Sequence, residues 1–494
     1  MSDQGLLQMG TTRGRWVLFA TVLGSSLALL DATVVNVALQ RIGTTFGAGF
    51  AALQWTVNAY TLTLASLILL GGSLGDRFGR RRVFLIGVAW FAVASLLCGL
   101  APSVEALIGA RALQGVGGAL LTPGSLAIIS AAFRGSDRAQ AVGAWSGLGG
   151  IAAAVGPFLG GWLIEWSWRA VFLINLPVAA AVIAVTLRHV PESKDPTAAP
   201  TLDLRGPVLA VLGLGGLTYG LTEAGHGASP AVLSTIAVGV IALVAFVVLE
   251  RRSTHPLVPT ALFRSVQFTA ANIVTFLVYA AIGVFFVLLV LHLQVVAGFS
   301  PLLSGTAMLP VTVLMLAFSA RSGKLAQQIG PRLPMTLGPL ICAVGVLLTL
   351  RIGPHASYLG AVLPAVTLFG AGLTLTVAPL TATVLDSADD RYAGAASGVN
   401  NAVARTAGLL AVAVVPVLAG MGSDYTDRTA FAASYHVAAW IMAGLMATGG
   451  VLAALLIRRT LGPAEDRIHL EECSHCAVTG PQVYPESADS APGE

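Results

Sequence analysis

Three charged side chains lie inside long apolar stretches of this sequence, where a polar group without a partner is costly. They are Asp31, Arg111 and Arg405. A charge in the middle of a hydrocarbon layer costs several kcal/mol unless it is paired, hydrated or neutralised. These residues are therefore the first candidates for chemistry in this chain.

Asp31 is the acid that lies clearly within an apolar run. Burial disfavours an ionised carboxylate, so this side chain is expected to take up and release a proton near neutral pH. We predict that Asp31 is a proton-coupling site. The alternative is a structural aspartate that a neighbouring helix caps.

Arg111 opens the segment RALQGVGGA. Gln114, Gly115 and Gly118 follow it at a spacing that puts all of them on the same helix face. We predict that Arg111 takes part in proton coupling, as a relay or by tuning the acid, and that Gln114 is a polar residue within the membrane. A structural arginine bonded to carbonyl groups is the alternative.

Further polar or aromatic side chains interrupt other apolar runs. Asn401 and Arg405 lie one helical turn apart and predict a polar intramembrane pair, with a structural clamp as the alternative. His292 can change its charge near neutral pH, and it is predicted to line a substrate path together with Trp55 and Tyr60. A hydrogen-bonded histidine and rings packed in lipid are the alternatives.

The segment GAWSGLGGIAAAVGPFLGGW places small residues three and four positions apart around a proline. Gly156, Pro157, Gly160 and Gly161 give this helix a smooth face and a bend. We predict an interface between moving halves, whereas plain helix packing is the alternative.

The segment GSLGDRFGRRR at Gly72–Arg82 is a short charged stretch between two apolar runs, and it predicts a tight loop that acts as a gate. The gate residues are Gly72, Gly75, Asp76, Arg77, Gly79 and Arg80. The segment GKLAQQIGPR at Gly323–Arg332 aligns with the first without gaps, but it has glutamines in place of Asp76 and Arg77. Because only the first copy keeps the acid, Asp76 is predicted to latch onto a helix N-terminus or an arginine of the second half.

The composition identifies the class of protein that contains these elements. The 494 residues are 56% hydrophobic and only 10% charged, whereas soluble proteins carry about 25% charged residues. Apolar runs of about 20 residues cross a bilayer as helices, so the sequence predicts an all-α polytopic membrane protein. The predicted spans are 16–39, 53–72, 83–101, 105–129, 138–162, 169–188, 206–222, 231–250, 268–293, 302–321, 334–352, 357–380, 395–419 and 435–457.

The basic residues predict the orientation of these fourteen spans. Of the 27 lysines and arginines, 21 fall in one set of connecting segments, four in the other set and two within spans. Cytoplasmic loops carry the excess of basic residues, so both termini are predicted to be cytoplasmic, in a multi-pass protein of the plasma membrane. The net charge of +4 then belongs to loops that face anionic lipid, and no nucleic-acid partner is predicted.

Two longer polar segments divide the spans into groups of six, two and six. The predicted units are 1–189, an N-terminal six-helix bundle; 190–264, linkers with two extra helices; 265–460, a C-terminal six-helix bundle; and 461–494, a disordered cytoplasmic tail. The tail contains two cysteines and two histidines, which are zinc-ligand types, but their spacing fits no zinc module and no metal site is predicted.

Together, these motifs resemble the 14-helix drug:proton antiporter branch of the major facilitator superfamily over about residues 14–460. GSLGDRFGRRR is similar to the superfamily's loop motif and LDATVVNVAL to the helix 1 motif of this branch. RALQGVGGA resembles the helix 4 motif associated with proton coupling, and GPFLGG the helix 5 motif of exporters. Ala152, Gln40 and the two glutamines of the second loop copy depart from the family's pattern.

The resemblance implies a major facilitator fold of two six-helix bundles plus two extra central helices. It also implies proton-coupled efflux of hydrophobic drugs or antibiotics, cationic ones included, by alternating access. The sequence contains no phosphate-binding loop and no catalytic constellation. We therefore expect no enzymatic activity and no cofactor, with the proton gradient as the energy source.

The expected partners are a small-molecule substrate, protons and the lipid bilayer. A monomer suffices for this function, and the oligomeric state is open. The alternatives are a dedicated exporter of a single endogenous metabolite, an importer, which GPFLGG argues against, and a membrane sensor or scaffold that does not transport.

Overall fold

The computed structural model describes residues 7–195, 204–227, 229–253, 256, 258–388, 392–422 and 425–458. The predicted disordered tail at 461–494, with its cysteines and histidines, lies outside these residues. The α-helices of the described residues are α1 (Thr12–Phe46), α2 (Phe50–Phe78), α3 (Arg80–Gly99), α4 (Val104–Ala132), α5 (Gly135–Trp166), α6 (Ala170–Leu173), α7 (Asn175–His189), α8 (Arg205–Glu223), α9 (Pro230–Arg252), α10 (Val266–Val295), α11 (Pro301–Thr306), α12 (Leu309–Ile329), α13 (Arg332–Leu348), α14 (Leu363–Asp386), α15 (Ala393–Leu418) and α16 (Arg428–Leu456).

Helices occupy every one of the predicted spans. Within the described residues, twelve segments are long and apolar enough to cross a membrane, and these include α6 with α7 and α11 with α12 as joined pairs. Helices α5 and α8, of 32 and 19 residues, lie at the two remaining predicted spans. The prediction of an all-α polytopic membrane protein is confirmed, and the helix positions are compatible with fourteen spans.

The helices form two groups, α1–α7, called here the first half, and α10–α16, the second half. Close backbone packing holds each half together. A methyl group on Gly71 of α2 would collide with the carbonyl oxygen of Ala119 in α4. In the second half, a methyl group on Gly338 of α13 would collide with the side chain of Thr376 in α14. Membrane helices associate through such packing because lipid supplies no hydrophobic driving force between them.

The two extra helices, α8 and α9, are central in the sequence but lie at the side of the molecule. They form a hairpin in which α8 packs against α2 of the first half and α15 of the second half. Most of α9 is exposed, which is the pattern of a helix that faces lipid. An apolar cavity of about 300 Å³ lies between the hairpin and α2, α10 and α15, with Leu69, Leu214 and Phe276 in its wall.

The break between α2 and α3 is much shorter than the loop predicted over Gly72–Arg82. Helix α2 continues to Phe78, so Gly72, Asp76 and the residues between them are helical. The prediction of a loop is therefore wrong in its extent. The turn is confined to Gly79, whose φ of +116° favours glycine, and the second copy of the motif breaks in the same way at Gly330, with φ of +84°.

Candidate functional site

Asp31 and Arg111 form an ion pair in the interior of the first half. Their side chains are 0% and 1% exposed, and Arg111 Nη1 donates to Asp31 Oδ2. Gln114 connects the two residues, since its Oε1 accepts from Arg111 Nη1 at 2.6 Å and its Nε2 donates to Asp31 Oδ1 at 2.8 Å. The structure thus brings together the predicted acid, the predicted arginine and the predicted amide.

Two further polar side chains complete this arrangement. Asn175 of α7 donates to Asp31 Oδ1 at 3.2 Å. Ser95 of α3 accepts from Gln114 Nε2 at 2.7 Å and from Asn175 Nδ2 at 3.2 Å. These five residues, Asp31, Ser95, Arg111, Gln114 and Asn175, are called here the charge network. Four helices supply their side chains, so its geometry depends on the packing of most of the first half.

The guanidinium of Arg111 has further partners on α2 and α6. Its Nε donates to the carbonyl oxygen of Thr56 at 3.0 Å. Its Cζ lies 4.3 Å from the ring centre of Tyr60 and 5.8 Å from that of Phe172. A cation over an aromatic face gains electrostatic energy, most of all where water is excluded. Arg111 is thus fixed on several sides.

The charge network explains how a carboxylate and a guanidinium can be buried here. Removal of two charges from water costs several kcal/mol per ion, and their attraction offsets this cost only when further hydrogen bonds satisfy the remaining atoms. Asp31 accepts from a cation and from two amides. A proton on Asp31 would compete with Arg111 for the same carboxylate. Protonation would therefore weaken the contact between Asp31 and Arg111.

Sequence reasoning did not single out Asn175 or Ser95. Asn175 is an amide within an apolar run, in the segment WRAVFLINLP, and that isolation was a usable signal. Ser95 carried no comparable signal, because serine is common in membrane helices and often bonds only to its own backbone.

Two hydrogen bonds between the halves lie at the same end of the molecule. The terminal end is defined here by Thr12, where α1 begins, and Leu456, where α16 ends. At the opposite end, Gln54 of α2 donates through Nε2 to the carbonyl oxygen of Val412 in α15 at 2.7 Å. Gln294 of α10 donates to the carbonyl oxygen of Val37 in α1 at 3.1 Å.

The contact of Gln54 uses a carbonyl group that a proline leaves free. Pro416 lies inside α15, and it has no N–H to donate to the carbonyl of the residue four positions earlier, Val412. The side chain of Gln54 takes the place of this missing donor. A glutamine of the first half therefore completes the hydrogen bonds of a helix in the second half.

The glycine-rich end of α5 also lies at the opposite end, between α1 and the second half. Methyl groups on Gly156 and Gly160 would collide with Thr33 and Val34 of α1. A methyl group on Gly161 would lie 2.6 Å from the Cα of Leu302 in α11. Small residues are therefore required at this contact. The backbone of Pro157 belongs to it too, because it lies directly against Gly305.

The charged motif at the break between α2 and α3 makes local contacts and contacts with the segment after α7. Asp76 pairs with Arg80 at 2.8 Å. The carboxylate of Glu192 accepts from the backbone N–H groups of Arg81 at 3.0 Å and Arg82 at 3.2 Å, so it caps the N-terminus of α3. A residue of the predicted linker thus makes the kind of contact that was predicted for Asp76. The latch concerns another conformation and stays a prediction.

The remaining predicted residues lie at separate places. Trp55 packs against Tyr219 of the hairpin, with ring centres 6.1 Å apart. His292 is buried within the second half, where its Nε2 lies 2.8 Å from the carbonyl oxygen of Ile352 and its ring stacks on Tyr435. The structure therefore does not bring Trp55 and His292 together with Tyr60 on one path.

Comparison with known families decides what this architecture is. The sequence profile of the Major Facilitator Superfamily matches residues 21–412. The chain belongs to the Major Facilitator Superfamily. The resemblance stated from its motifs is confirmed, because the curated relatives of this superfamily member are resistance and export proteins.

Two of these relatives show the degree of sequence similarity. The "Multidrug resistance protein Stp" of Mycobacterium tuberculosis (strain CDC 1551 / Oshkosh) is 36% identical over 389 residues, which cover 78% of this chain and 72% of that protein. The "Tetracenomycin C resistance and export protein" of Streptomyces glaucescens is 35% identical over 430 residues, covering 85% and 79%.

A solved structure supports the fold alone. A POT family transporter in complex with a thioalcohol-conjugated peptide superposes with a TM-score of 0.69 at 13% identity, covering 92% of this chain and 99% of that one. The prediction of a major facilitator fold is confirmed.

Proposed function

We propose that this protein exports lipophilic drugs or antibiotics across the plasma membrane in exchange for protons. The observation that carries the proposal is the charge network, a carboxylate and a guanidinium buried together within the membrane-spanning region. Ionisable residues inside membrane proteins mark ion pathways and proton relays. The relatives that are resistance and export proteins support efflux as the direction of transport.

We infer that the terminal end faces the cytoplasm, because 21 of the 27 basic residues belong to the segments on that side. The contacts of Gln54 and Gln294 then close the extracellular end. On this basis we infer an inward-facing conformation, in which a substrate would enter from the cytoplasm or the inner leaflet.

The proposed cycle uses the competition between a proton and Arg111 for Asp31. In the outward-facing state, Asp31 takes up a proton from outside, and Arg111 keeps its bonds to Gln114 and the Thr56 carbonyl. After the halves have rocked, the proton leaves to the inside and the ion pair forms again. One charge that crosses the membrane potential supplies about 2.3 kcal/mol per 100 mV. Arg111 acts here as a positioning residue, whereas Asp31 carries the proton.

The test measures substrate-driven proton movement in vesicles that contain the purified protein. Asp31→Asn keeps the shape of the side chain but cannot exchange a proton, so substrate-driven proton movement should be lost. The matched control is Glu105→Gln, which removes the charge of an exposed acid at the start of α4. Full proton-coupled export by Asp31→Asn would remove Asp31 from the mechanism.

A second candidate function is the dedicated export of one endogenous compound, and the name of the Streptomyces glaucescens relative favours it. Substrate breadth separates the two functions. A multidrug exporter raises resistance to several unrelated lipophilic compounds when it is expressed in a sensitive host, whereas a dedicated exporter raises resistance to one chemical family.

A further inference from the structure

The second half contributes a charge that the mechanism above does not use. Arg405 lies in the middle of α15 and is half-buried. Unlike Arg111, it makes no ion pair or hydrogen bond within the part of the chain that the structure describes. A guanidinium at membrane depth ordinarily has acceptors. An acceptor that arrives with a ligand would meet this requirement.

The face of α15 that carries Arg405 is directed toward the boundary between the halves. Gly398 and Gly408 lie on this face, seven residues before and three residues after Arg405. A methyl group on Gly398 would lie 3.2 Å from Leu69 of α2. A methyl group on Gly408 would lie 3.9 Å from Gly283 of α10. Arg405 is therefore placed where α15 faces α2 and α10.

Polar and aromatic groups accompany Arg405 at this position. Asn401, one turn earlier, is exposed, and its only bond among the described residues goes to the carbonyl oxygen of Ser397 in its own helix. Tyr279 of α10 lies against the same face of α15, since a methyl group on Gly408 would lie 3.8 Å from the carbonyl oxygen of Tyr279. The boundary between the halves therefore combines a cation, an amide with free hydrogen-bonding capacity and an aromatic residue.

The negative charge of the first half does not balance this cation. Asp31 is buried and bound to Arg111, so its charge is not available to a cationic substrate. In the described conformation, the charge accessible at the boundary is therefore positive. A cation that enters would be repelled by Arg405, and an anion would be attracted to it.

We propose that Arg405 and Asn401 bind an acidic group of the exported molecule. The proposal rests on the proposed export function and names its substrate class: a lipophilic, aromatic-rich compound with a carboxylate, a sulfonate or an ionised phenol. A guanidinium presents parallel N–H donors that match two acidic oxygens, and the amide of Asn401 adds a donor one turn away. Tyr279 offers a ring against which the apolar body can pack.

The experiment compares two probes that share a skeleton and differ in one acidic group. They are 8-anilinonaphthalene-1-sulfonate and N-phenyl-1-naphthylamine, with the cation ethidium as a third probe. Proton-dependent uptake of each is measured in inside-out vesicles with the wild type, Arg405→Gln, Arg405→Lys and the control Arg321→Gln. Arg321 is an exposed arginine of the second half that lines a separate cavity between α12 and α14.

We expect Arg405→Gln to raise the apparent KM for the sulfonate about tenfold or more, which is the effect of a lost charged hydrogen bond. Uptake of N-phenyl-1-naphthylamine should stay within about twofold, and the sulfonate should be partly restored by Arg405→Lys. Arg321→Gln should behave like the wild type. An equal loss of both naphthalene probes in Arg405→Gln and in Arg405→Lys would overturn the proposal and assign Arg405 to structure or coupling.

The wild type separates failure of this proposal from failure of the export function. Proton-dependent uptake of ethidium or N-phenyl-1-naphthylamine without uptake of the sulfonate would overturn the acidic-group proposal and leave export intact. If none of the three probes moved in response to a proton gradient, while the protein was correctly inserted, both proposals would be overturned.

Discussion

The hydrogen bond from Gln54 to Val412 predicts how firmly the end opposite the termini stays closed. Gln54→Leu removes the donor and replaces the amide side chain with an apolar one of similar size. The carbonyl of Val412 then has neither Gln54 nor an N–H from Pro416. A buried acceptor left without a donor costs about 1–3 kcal/mol, which corresponds to a change of about 5- to 150-fold in an equilibrium constant. We expect this shift toward the conformation that is open at the opposite end.

Pro416→Ala supplies the control for this reasoning. Alanine restores the backbone N–H, so the carbonyl of Val412 is satisfied within α15 even when Gln54 is absent. In this background, the effect of Gln54→Leu should fall to the net value of an ordinary hydrogen bond, about 0.5–1.5 kcal/mol. The two substitutions are therefore expected to be non-additive.

Distances between spin labels on the two halves measure the equilibrium. Thr44 and Arg428 are exposed positions at the opposite end, one on each half. The fraction of molecules with a long distance between these labels should rise in Gln54→Leu and change much less in the double variant. An equal rise in the two backgrounds, or no rise in the single variant, would refute the role assigned to the carbonyl of Val412.

Three further predictions follow from the described contacts. Arg111→Met leaves a buried carboxylate without its cation and should cost about 3–5 kcal/mol of stability. The double variant Arg111→Met with Asp31→Asn should recover most of the thermal stability measured in detergent. Equal melting temperatures of the single and the double variant would argue against the ion pair. Gly161→Val should block transport without loss of membrane insertion, because the valine side chain would collide with α11. The control Gly109→Val should transport normally, because a methyl group at Gly109 meets no neighbour within 4 Å. Glu192→Gln should weaken the cap of α3 by about 0.3–1 kcal/mol and speed amide hydrogen exchange in the first turn of α3. Unchanged exchange would show that the carboxylate charge does not contribute to the stability of this turn.

The sequence was sufficient to predict the helices and three of the five residues of the charge network, Asp31, Arg111 and Gln114. Apolar runs predict membrane helices because each such helix satisfies its own backbone and only its length and hydropathy matter. Asp31 and Arg111 stand out for a related reason, since a charge at membrane depth is costly wherever the helix lies in the bundle. Gly79 and Gly330 also marked the two helix breaks, although the surrounding charges made the first break look longer than it is.

Which of these residues meet depends on how the helices pack against one another. The partners of Asp31 come from α4 and α7, and Asn175 lies 144 residues away along the chain, a separation at which no local pattern specifies a contact. The tertiary structure also buried the charge of Asp31 against Arg111 and left Arg405 at the boundary between the halves. Both arginines look alike in the sequence as cations in apolar helices. They differ because packing gave one of them a carboxylate and gave the other no acidic partner among the described residues.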